Sequence, residues 1–316
     1  MSDAILDDDL MVTGLFGWNM KRVLVVGSGI DGLTTAIREH LAGNQVFIVE
    51  RRERIGGRAT SQEFHGHHLE HGPHLLLKGG KLHSMVKKVS RVKPSLRPIR
   101  PHKIEIVGYG RLQPINSPRE LFKIKTEGDA IRESAERLIS GWGLDIPERR
   151  KALMKGKLCV VGEGWAGLVG RLASTLEEVG VPISTGMKVV EVIDGGAQLS
   201  DGVKIEADVV HMCTGKPVGG PVKVATLDVV LDNQPMGGLH GMVKGDVAII
   251  DLAAVHSGKA PGRSHLSCIA RNGGIEAIEA LLDERLAGWR SHIITQRTND
   301  SILLSDSRGH LSDGVV

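Results

Sequence analysis

Aromatic side chains are scarce in this chain of 316 residues, which has four Phe, four Trp and a single Tyr, Tyr109. A cage of several aromatic rings around a cationic ligand is therefore disfavoured as the form of a binding site. Cysteine is also rare, since Cys159, Cys213 and Cys268 stand far apart and form no CxxC pair. This spacing excludes a disulfide framework and a zinc knuckle, and it fits a reducing, cytoplasmic setting.

Long apolar runs and a strong charge of one sign are missing as well. No run approaches the ~18 apolar residues that span a bilayer, and the acidic first ten residues are unlike a signal peptide. The net charge is +3, far from the basic stripe of a nucleic-acid binder. The basic stretch 78–103 is interpreted as a solvated face, with an acidic partner as the alternative. We expect neither a transmembrane segment nor a nucleic-acid partner; peripheral membrane contact and the oligomeric state stay open.

The N-terminal region contains a strand, a helix and a second strand within about 30 residues. Val23–Val26 is an uninterrupted β-branched and apolar run, typical of a buried parallel strand. A helix is predicted from Ile30 to Ala42, and a second strand over Gln45–Glu50. This order predicts a βαβ unit with a right-handed crossover.

A glycine motif lies between the first strand and the helix. Gly27, Gly29 and Gly32 form GxGxxG, in which the first glycine permits the tight turn and the second lets a pyrophosphate approach the backbone. The third lets the helix pack closely on the strands. Glu50 ends the second strand, where an acidic side chain binds a ribose hydroxyl. The segment is therefore predicted to bind a dinucleotide.

A second glycine pair decides between the possible dinucleotides. Gly56, Gly57 and Arg58 follow the second strand, and two adjacent glycines bring another backbone turn near the phosphates, where the arginine adds a cation. Such a pair is superfluous for a simple NAD site, so FAD is favoured. Arg51 and Arg52 leave NADP open on charge alone.

The remaining sequence predicts an α/β protein whose dinucleotide domain is discontinuous and interrupted by a mixed α+β substrate domain. The middle of the chain is rich in proline and has a charged helix near 129–140. Rossmann-like patterning returns at Leu158–Val161, and an amphipathic helix is expected over Ile275–Ala287. The predicted parts are a disordered extension (1–19), the FAD-binding domain (20–85, 157–216 and 275–316) and the substrate domain (86–156 and 217–274).

These motifs together resemble the superfamily of flavin-containing amine oxidases, phytoene desaturases and protoporphyrinogen oxidases. The resemblance rests on the GxGxxG segment, on Glu50 and on the Gly56–Arg58 turn. Further similarity covers 71–74 (His-Gly-Pro-His) and much of 157–216. The superfamily ends in a Gly-Asp motif that completes the flavin site, whereas this sequence stops at its run-up, so a truncated product or incomplete FAD binding is expected, with truncation favoured.

The resemblance implies that FAD lies extended over the glycine motifs, with adenine near Val189 and the flavin ring near 72–74. The flavin would carry the hydride chemistry, and no catalytic side chain can be assigned. The cofactor-binding residues implied are Gly27, Gly29, Ile30, Asp31, Gly32, Glu50, Arg51, Gly56, Gly57, Arg58, Gly72, Pro73, His74, Val189, Thr214 and Gly215.

Two residue types invite other interpretations. His65, His67, His68, His71 and His74 crowd into ten residues, and imidazole is a common metal ligand, but the segment already matches a flavin-proximal turn, so no metal is predicted. A redox role is conceivable for the cysteine at 213; a small apolar filler of a strand is the favoured interpretation.

Three classes of function are compatible with these motifs. The favoured one is an FAD-dependent oxidoreductase, of desaturase or oxidase type, that takes hydride from a small, apolar substrate. Amine oxidation is the less attractive version, because that chemistry commonly uses an aromatic cage. The alternatives are an NAD(P)-dependent dehydrogenase and a non-catalytic flavin-binding protein. The sequence contains no GxSxG, HExxH or P-loop pattern.

Overall fold

The computed structural model describes residues 20–70, 75–79, 83–84, 86–87, 93–108, 110–111, 158–214, 222–256 and 262–304. The predicted extension 1–19, the turn 71–74, the helix near 129–140 and Gly215 lie outside these ranges. The helices are α1 (Ile30–Leu41), α2 (Gly164–Glu178), α3 (Leu252–Val255) and α4 (Gly274–Arg285), with 3-10 turns at Pro101–Lys103 and Trp289–His292. The strands are β1 (Arg22–Val26), β2 (Gln45–Val49), β3 (Ser61–Phe64), β4 (His67–Glu70), β5 (Leu76–Leu77), β6 (Leu96–Pro98), β7 (Ile104–Ile106), β8 (Gly110–Arg111), β9 (Leu158–Val161), β10 (Ile183–Ser184), β11 (Val189–Ile193), β12 (Gly196–Leu199), β13 (Lys204–Glu206), β14 (Val209–Met212), β15 (Val222–Leu231), β16 (Gly241–Lys244), β17 (Val247–Asp251), β18 (Ser264–Ala270) and β19 (Ile293–Leu304).

The first unit is a three-layer Rossmann-like domain built around a parallel sheet of order β10-β2-β1-β14. Strand β1 is central because its side chains are apolar on both faces. On one face Val23 and Val25 pack with α1 and α2, and on the other Leu24 and Val26 pack under the meander β11-β12-β13. This confirms the predicted α/β fold class.

The second unit is a seven-stranded mixed sheet of order β19-β15-β18-β17-β16-β7-β8. One face is apolar and packs on α4 through residues such as Leu227, Val229 and Cys268. Helix α4 contributes Ile278 and Leu282 to this core. Within the described ranges, no helix is long and apolar enough to cross a membrane.

Two small sheets lie between these units along the chain. Strands β5, β9 and β6 form one antiparallel sheet, and β3 and β4 form a hairpin. The hairpin turn consists of His65 and Gly66, both with positive φ (48° and 77°), as expected of a two-residue hairpin loop. Strand β4 contacts β15 and β19, so the hairpin touches the second sheet.

The domain assignment of the C-terminal region differs from the structure. The sequence predicts that residues 275–316 belong to the FAD-binding domain. Their described part, up to 304, consists instead of α4, which packs on the seven-stranded sheet, and β19, which pairs within it. Strand β6, predicted to lie in the substrate domain, instead pairs with β9. The amphipathic pattern of α4 shows which side is buried and carries no information on which sheet buries it.

Candidate functional site

The loop between β1 and α1 has the tight geometry that its glycines predict. Gly27 has φ of 106°, and its N–H donates to the carbonyl of Val49 at 2.7 Å. A Cβ on Gly27 would lie 2.5 Å from the carbonyl oxygen of Cys213, and one on Gly32 would lie 1.8 Å from the carbonyl oxygen of Gly27. Both glycines are therefore required by the fold itself.

Gly29 differs from these two because the space beside it is open. It stands at the N-cap of α1 with an extended conformation (φ −69°, ψ 178°) and receives no side-chain cap. The nearest atom to a Cβ placed there would be the Gly56 carbonyl oxygen, at 4.0 Å. The N-terminus of a helix offers N–H groups and positive potential to an anion. This glycine thus leaves an open approach to the start of α1.

The second glycine pair packs directly on this loop. The N–H of Gly56 donates to the carbonyl of Ser28 at 2.8 Å, and Gly29 and Gly56 form a parallel bridge. A Cβ on Gly57 would lie 3.4 Å from the Cα of Gly29. Two chain segments nearly 30 residues apart therefore meet as one glycine-lined cradle.

Glu50 is held beside this cradle as a buried carboxylate. Its Oε2 accepts from the N–H and the hydroxyl of Ser28 at 2.9 and 3.0 Å, and its Oε1 accepts from the N–H of Arg52 at 3.0 Å. Burial alone would raise the pKa of Glu50, but these hydrogen bonds and the charge of Arg52 outweigh it and lower the pKa. The group is anionic at neutral pH. Since a carboxylate oxygen accepts more than one hydrogen bond, Oε1 keeps capacity for a ribose hydroxyl.

The other described residues that the resemblance implies lie around the same loop and differ in their burial. The side chain of Ile30 is buried in the core, so only its backbone can face a ligand, whereas Asp31 is exposed. Arg51 and Arg58 are also exposed on the chain around the second glycine pair. Partial burial lowers the pKa of Arg58.

The adenine-side and flavin-side residues lie at opposite flanks of the loop. Val189 begins β11, and the N–H of Met187, just before it, donates to the carbonyl of Glu50 at 2.8 Å. Thr214 is exposed beside Gly27, its Cα 3.6 Å from a Cβ placed there. Gly72, Pro73, His74 and Gly215 lie outside the described residues.

Glu70 is a partly buried acid of this region whose role the sequence does not reveal. Its Oε1 accepts from the N–H of Trp165 at 2.9 Å, at the start of α2. A Cβ on Gly164 would come within 3.0 Å of the same oxygen. Burial raises the pKa of Glu70 to about 7, against a lowering by the Trp165 hydrogen bond. The residue directly precedes the predicted flavin turn at 71–74. The Gly-Glu-Gly-Trp sequence before α2 was the available signal for a partner at that helix end.

We expect Glu70→Gln to stabilise the protein at alkaline but not at acidic pH. Because the folded pKa lies above its ordinary value of 4.5, stability is full below about pH 4.5 and is lost as the pH rises towards 7. Glutamine stays neutral and keeps an oxygen for the Trp165 N–H. The free energy of unfolding should rise by about 1–3 kcal/mol at pH 8 and hardly change at pH 4.5. Urea unfolding at both pH values measures this, with the exposed Glu63→Gln as control; an equal effect at both would contradict it.

The cysteines of the structure are poor nucleophiles. Cys159 and Cys268 are buried, and Cys213 is half-buried with its Sγ 3.9 Å from the hydroxyl of Thr35. Burial raises the pKa of Cys159 to about 11 and that of Cys213 to about 12, the latter also through the charge of Asp31. These values support the apolar-filler interpretation of Cys213.

We therefore expect the native protein to react slowly with a thiol reagent such as 5,5′-dithiobis(2-nitrobenzoate) at pH 8, because the thiolate is the reacting species. The same protein in guanidinium chloride should release three equivalents at once, one for each cysteine. A single fast thiol in the native state, lost in Cys213→Ala, would instead indicate an activated cysteine.

The histidine-rich hairpin does not gather a metal-ligand set in the part of the chain that the structure covers. There, no three His, Cys, Asp or Glu side chains are close enough together to hold a metal ion. His65 instead lies against the second sheet, with Nδ1 3.5 Å from the Thr295 hydroxyl.

Comparison with known proteins agrees with this geometry. Residues 25–89 match the family described as NAD(P)-binding Rossmann-like domain. The chain is 42% identical over 57 residues to a phytoene desaturase of Fusarium fujikuroi, which is 18% of this chain and 10% of the relative. It is 48% identical over 54 residues to polyamine oxidase 1 of Oryza sativa subsp. japonica, covering 16% and 10% of the two proteins. The matched segment thus spans about a tenth of the length of these curated relatives.

The fold extends the similarity over nearly the whole chain. A crystal structure of a Pyrococcus furiosus protein superposes with a TM-score of 0.71 at 17% identity and covers 93% of each chain. The phytoene desaturases and polyamine oxidases are FAD-dependent flavoproteins, in agreement with the cofactor that the sequence predicted. Through its N-terminal Rossmann-like segment, the chain is similar to these phytoene desaturases and to this polyamine oxidase.

Proposed function

We propose that this protein is an FAD-dependent oxidoreductase, of desaturase or oxidase type, that transfers hydride from a small substrate to flavin. The observation that carries the proposal is the double-glycine cradle, in which Gly29 and Gly57 meet beside the anionic Glu50. A simple nicotinamide site needs the first glycine motif alone. The cofactor fits the residues present, because a Cβ at Gly29 would stand in the open space before α1.

Different residues of this chain would bind different parts of the cofactor. The backbone at Gly29 and Gly57 and the N-terminus of α1 would bind the pyrophosphate, and Glu50 would accept a ribose hydroxyl through Oε1. The strand at Val189 would flank the adenine, and the segments at 72–74 and 214–215 would lie nearer the ring. The flavin supplies the hydride acceptor.

A nicotinamide dinucleotide is the second candidate, because the matched family is described as NAD(P)-binding. NADP is disfavoured by the buried Glu50 carboxylate, whose charge would repel a 2′-phosphate in spite of the neighbouring exposed Arg51 and Arg52. NAD would use the first glycine motif and leave the second without a ligand.

The visible absorption spectrum of the purified protein, before and after addition of FAD, tests the proposal. We expect bands near ~370 and ~450 nm that remain with the protein after desalting, as for an oxidised flavin carried by a protein site. NAD and NADP added in parallel should not displace the flavin. A protein that stays colourless with FAD and binds NADH would overturn the assignment. Bound flavin that no substrate panel reduces would point to a non-catalytic flavoprotein.

A further inference from the structure

The face of the seven-stranded sheet opposite α4 carries a cluster of polar side chains among buried apolar ones. In the register of the sheet, Asp228 on β15 stands between Ser267 on β18 and Arg297 on β19. Such directly paired residues have Cβ atoms about 4.5–5.5 Å apart. We use the name polar sheet face for the following residues, which lie on the same side of β15, β18 and β19: Thr226, Asp228, His265, Ser267, Thr295, Arg297 and Asn299.

The polar sheet face lies deep in the protein and is covered by the β3–β4 hairpin. Asp228 and Ser267 are 2% and 0% exposed, while His265 and Arg297 are half-buried. His65, at the tip of the hairpin, contacts Thr295. The hairpin runs directly into 71–74, where the flavin ring is expected. On the proposed function, the face would therefore lie near the reaction centre.

Two groups on this face have unused hydrogen-bonding capacity. The Ser267 hydroxyl and the Nε2 of His265 are buried and have no hydrogen-bond partner among the described residues. The Nε2 lies 3.9 Å from the Asp228 carboxylate oxygen, beyond hydrogen-bond range. Buried polar groups in native proteins are nearly always satisfied, so an unpaired one calls for a ligand, water or ion.

Charged groups of both signs lie near these two groups. Burial and the charges of His67 and His256 lower the pKa of His265 to about 4, so it is a neutral donor or acceptor at pH 7. Burial lowers the pKa of Arg297. The negative charge of Asp228 raises it, and the positive charge of Arg54 lowers it. Arg297 thus has a carboxylate and a second guanidinium group in its surroundings.

The nearby acid Asp251 is engaged by other hydrogen-bond donors. Its carboxylate accepts from the Ser264 hydroxyl at 2.8 Å and from the N–H groups of Ala253, Ala254 and His265 at 3.0–3.2 Å. By accepting these hydrogen bonds, the Asp251 carboxylate caps α3 and anchors the start of β18. The Asp251 oxygens are thus occupied by these donors and accept nothing from the Ser267 hydroxyl or from Nε2 of His265.

We propose that the polar sheet face binds the substrate of this enzyme and that the substrate carries a carboxylate. Arg297, the Ser267 hydroxyl and Nε2 of His265 would donate to it, and Asp228 would fix the arginine by its charge. The proposal rests on the proposed function in placing the flavin beside the hairpin. It departs from the apolar substrate that the sequence predicted, because the face that would meet the substrate is lined by polar side chains.

Three probes of similar shape and different charge test the inference: benzoate, benzyl alcohol and benzylamine. Each is titrated by calorimetry at pH 7.5 into the protein as purified and into the FAD-loaded protein. We expect benzoate to bind and the two others to bind at least about tenfold more weakly, the equivalent of one charged contact. Preferential binding of benzylamine or benzyl alcohol would overturn the proposal.

Variants locate the binding. Arg297→Gln should weaken benzoate about tenfold or more and Ser267→Ala several-fold, whereas Arg285→Gln should leave the affinity unchanged. Arg285 lies on α4, on the opposite side of the same sheet, where it pairs with Glu105. Ser267→Ala removes an unpaired hydroxyl, so it should keep the parent's thermal stability and remain informative if Arg297→Gln does not fold. Unchanged benzoate affinity in Ser267→Ala and in any folded Arg297→Gln protein would contradict the proposed carboxylate site.

The two proposals fail in different ways. Benzoate binding to a protein that refuses FAD would contradict the proposed function and leave the carboxylate site standing. FAD binding without benzoate binding would contradict the carboxylate site alone.

Discussion

Gly32→Ala is expected to unfold the N-terminal domain or weaken it severely, whether or not FAD is present. The new Cβ would lie 1.8 Å from the carbonyl oxygen of Gly27, and this oxygen belongs to a backbone that cannot rotate away. Gly27 itself is fixed by its hydrogen bond to Val49. Helix α1 would have to move off β1 and β14, opening the packing of Leu33. Overpacking of this kind costs about 3 kcal/mol or more.

Thermal unfolding measures this loss, and a drop in Tm of about 5 °C or more is expected. Gly170→Ala is the matched control, since Gly170 lies on the exposed side of α2 with nothing within 4 Å of its Cβ position. Alanine there should be neutral or stabilise the helix by up to about 1 kcal/mol. Equal Tm values for the two variants would mean that α1 is not seated as tightly as the structure has it.

The glycine-lined cradle could be predicted from sequence because each of its parts has a local signature. A β-branched run, GxGxxG and an acid at the end of the next strand fix a strand, a turn and a helix without reference to the remaining chain. The close approach of Gly29 to Gly57 follows, since both segments leave the carboxyl ends of neighbouring parallel strands. Such long-range contacts are predictable where a motif itself encodes the topology.

The polar sheet face could not be predicted in this way. Strand β19 escaped detection because its covered side carries Thr295, Arg297 and Asn299, whereas alternation is recognised by apolar residues on the buried side. For the same reason the sequence gives no signal for Asp228 and Ser267, which are polar residues within largely apolar strands. Their meeting depends on the register of three strands that are distant in sequence. The histidine-rich segment that forms the covering hairpin matches a flavin-proximal turn in sequence, and this interpretation gives no sign of a contact with the second sheet.

The two units of the protein therefore carry different parts of the proposed chemistry. The Rossmann-like domain has the general features of a dinucleotide site, which the whole superfamily shares and sequence motifs reveal. The second sheet bears the polar groups that would distinguish one substrate from another. A function assigned from the first unit alone specifies the cofactor and leaves the substrate open.

Gly29→Ala is expected to separate folding from cofactor binding. Its φ and ψ are ordinary for any residue, and the nearest atom to the new Cβ is 4.0 Å away, so Tm without FAD should match the parent. The methyl group would, however, occupy the space before α1 through which the pyrophosphate must reach the backbone. We expect FAD affinity to fall about 100-fold, or about 2.7 kcal/mol.

Fluorescence titration with FAD, run on Gly29→Ala and on the Gly170→Ala control, measures the effect. Comparison with Gly32→Ala separates the loss of folding from the loss of FAD binding. The two substitutions are three residues apart and differ in what the added methyl group contacts. At Gly32 the methyl meets backbone and the fold is lost, whereas at Gly29 it meets open space and only the ligand is excluded. Parent-like FAD affinity in Gly29→Ala would show that the pyrophosphate lies elsewhere, and the glycine pair at 56–57 would then need another explanation.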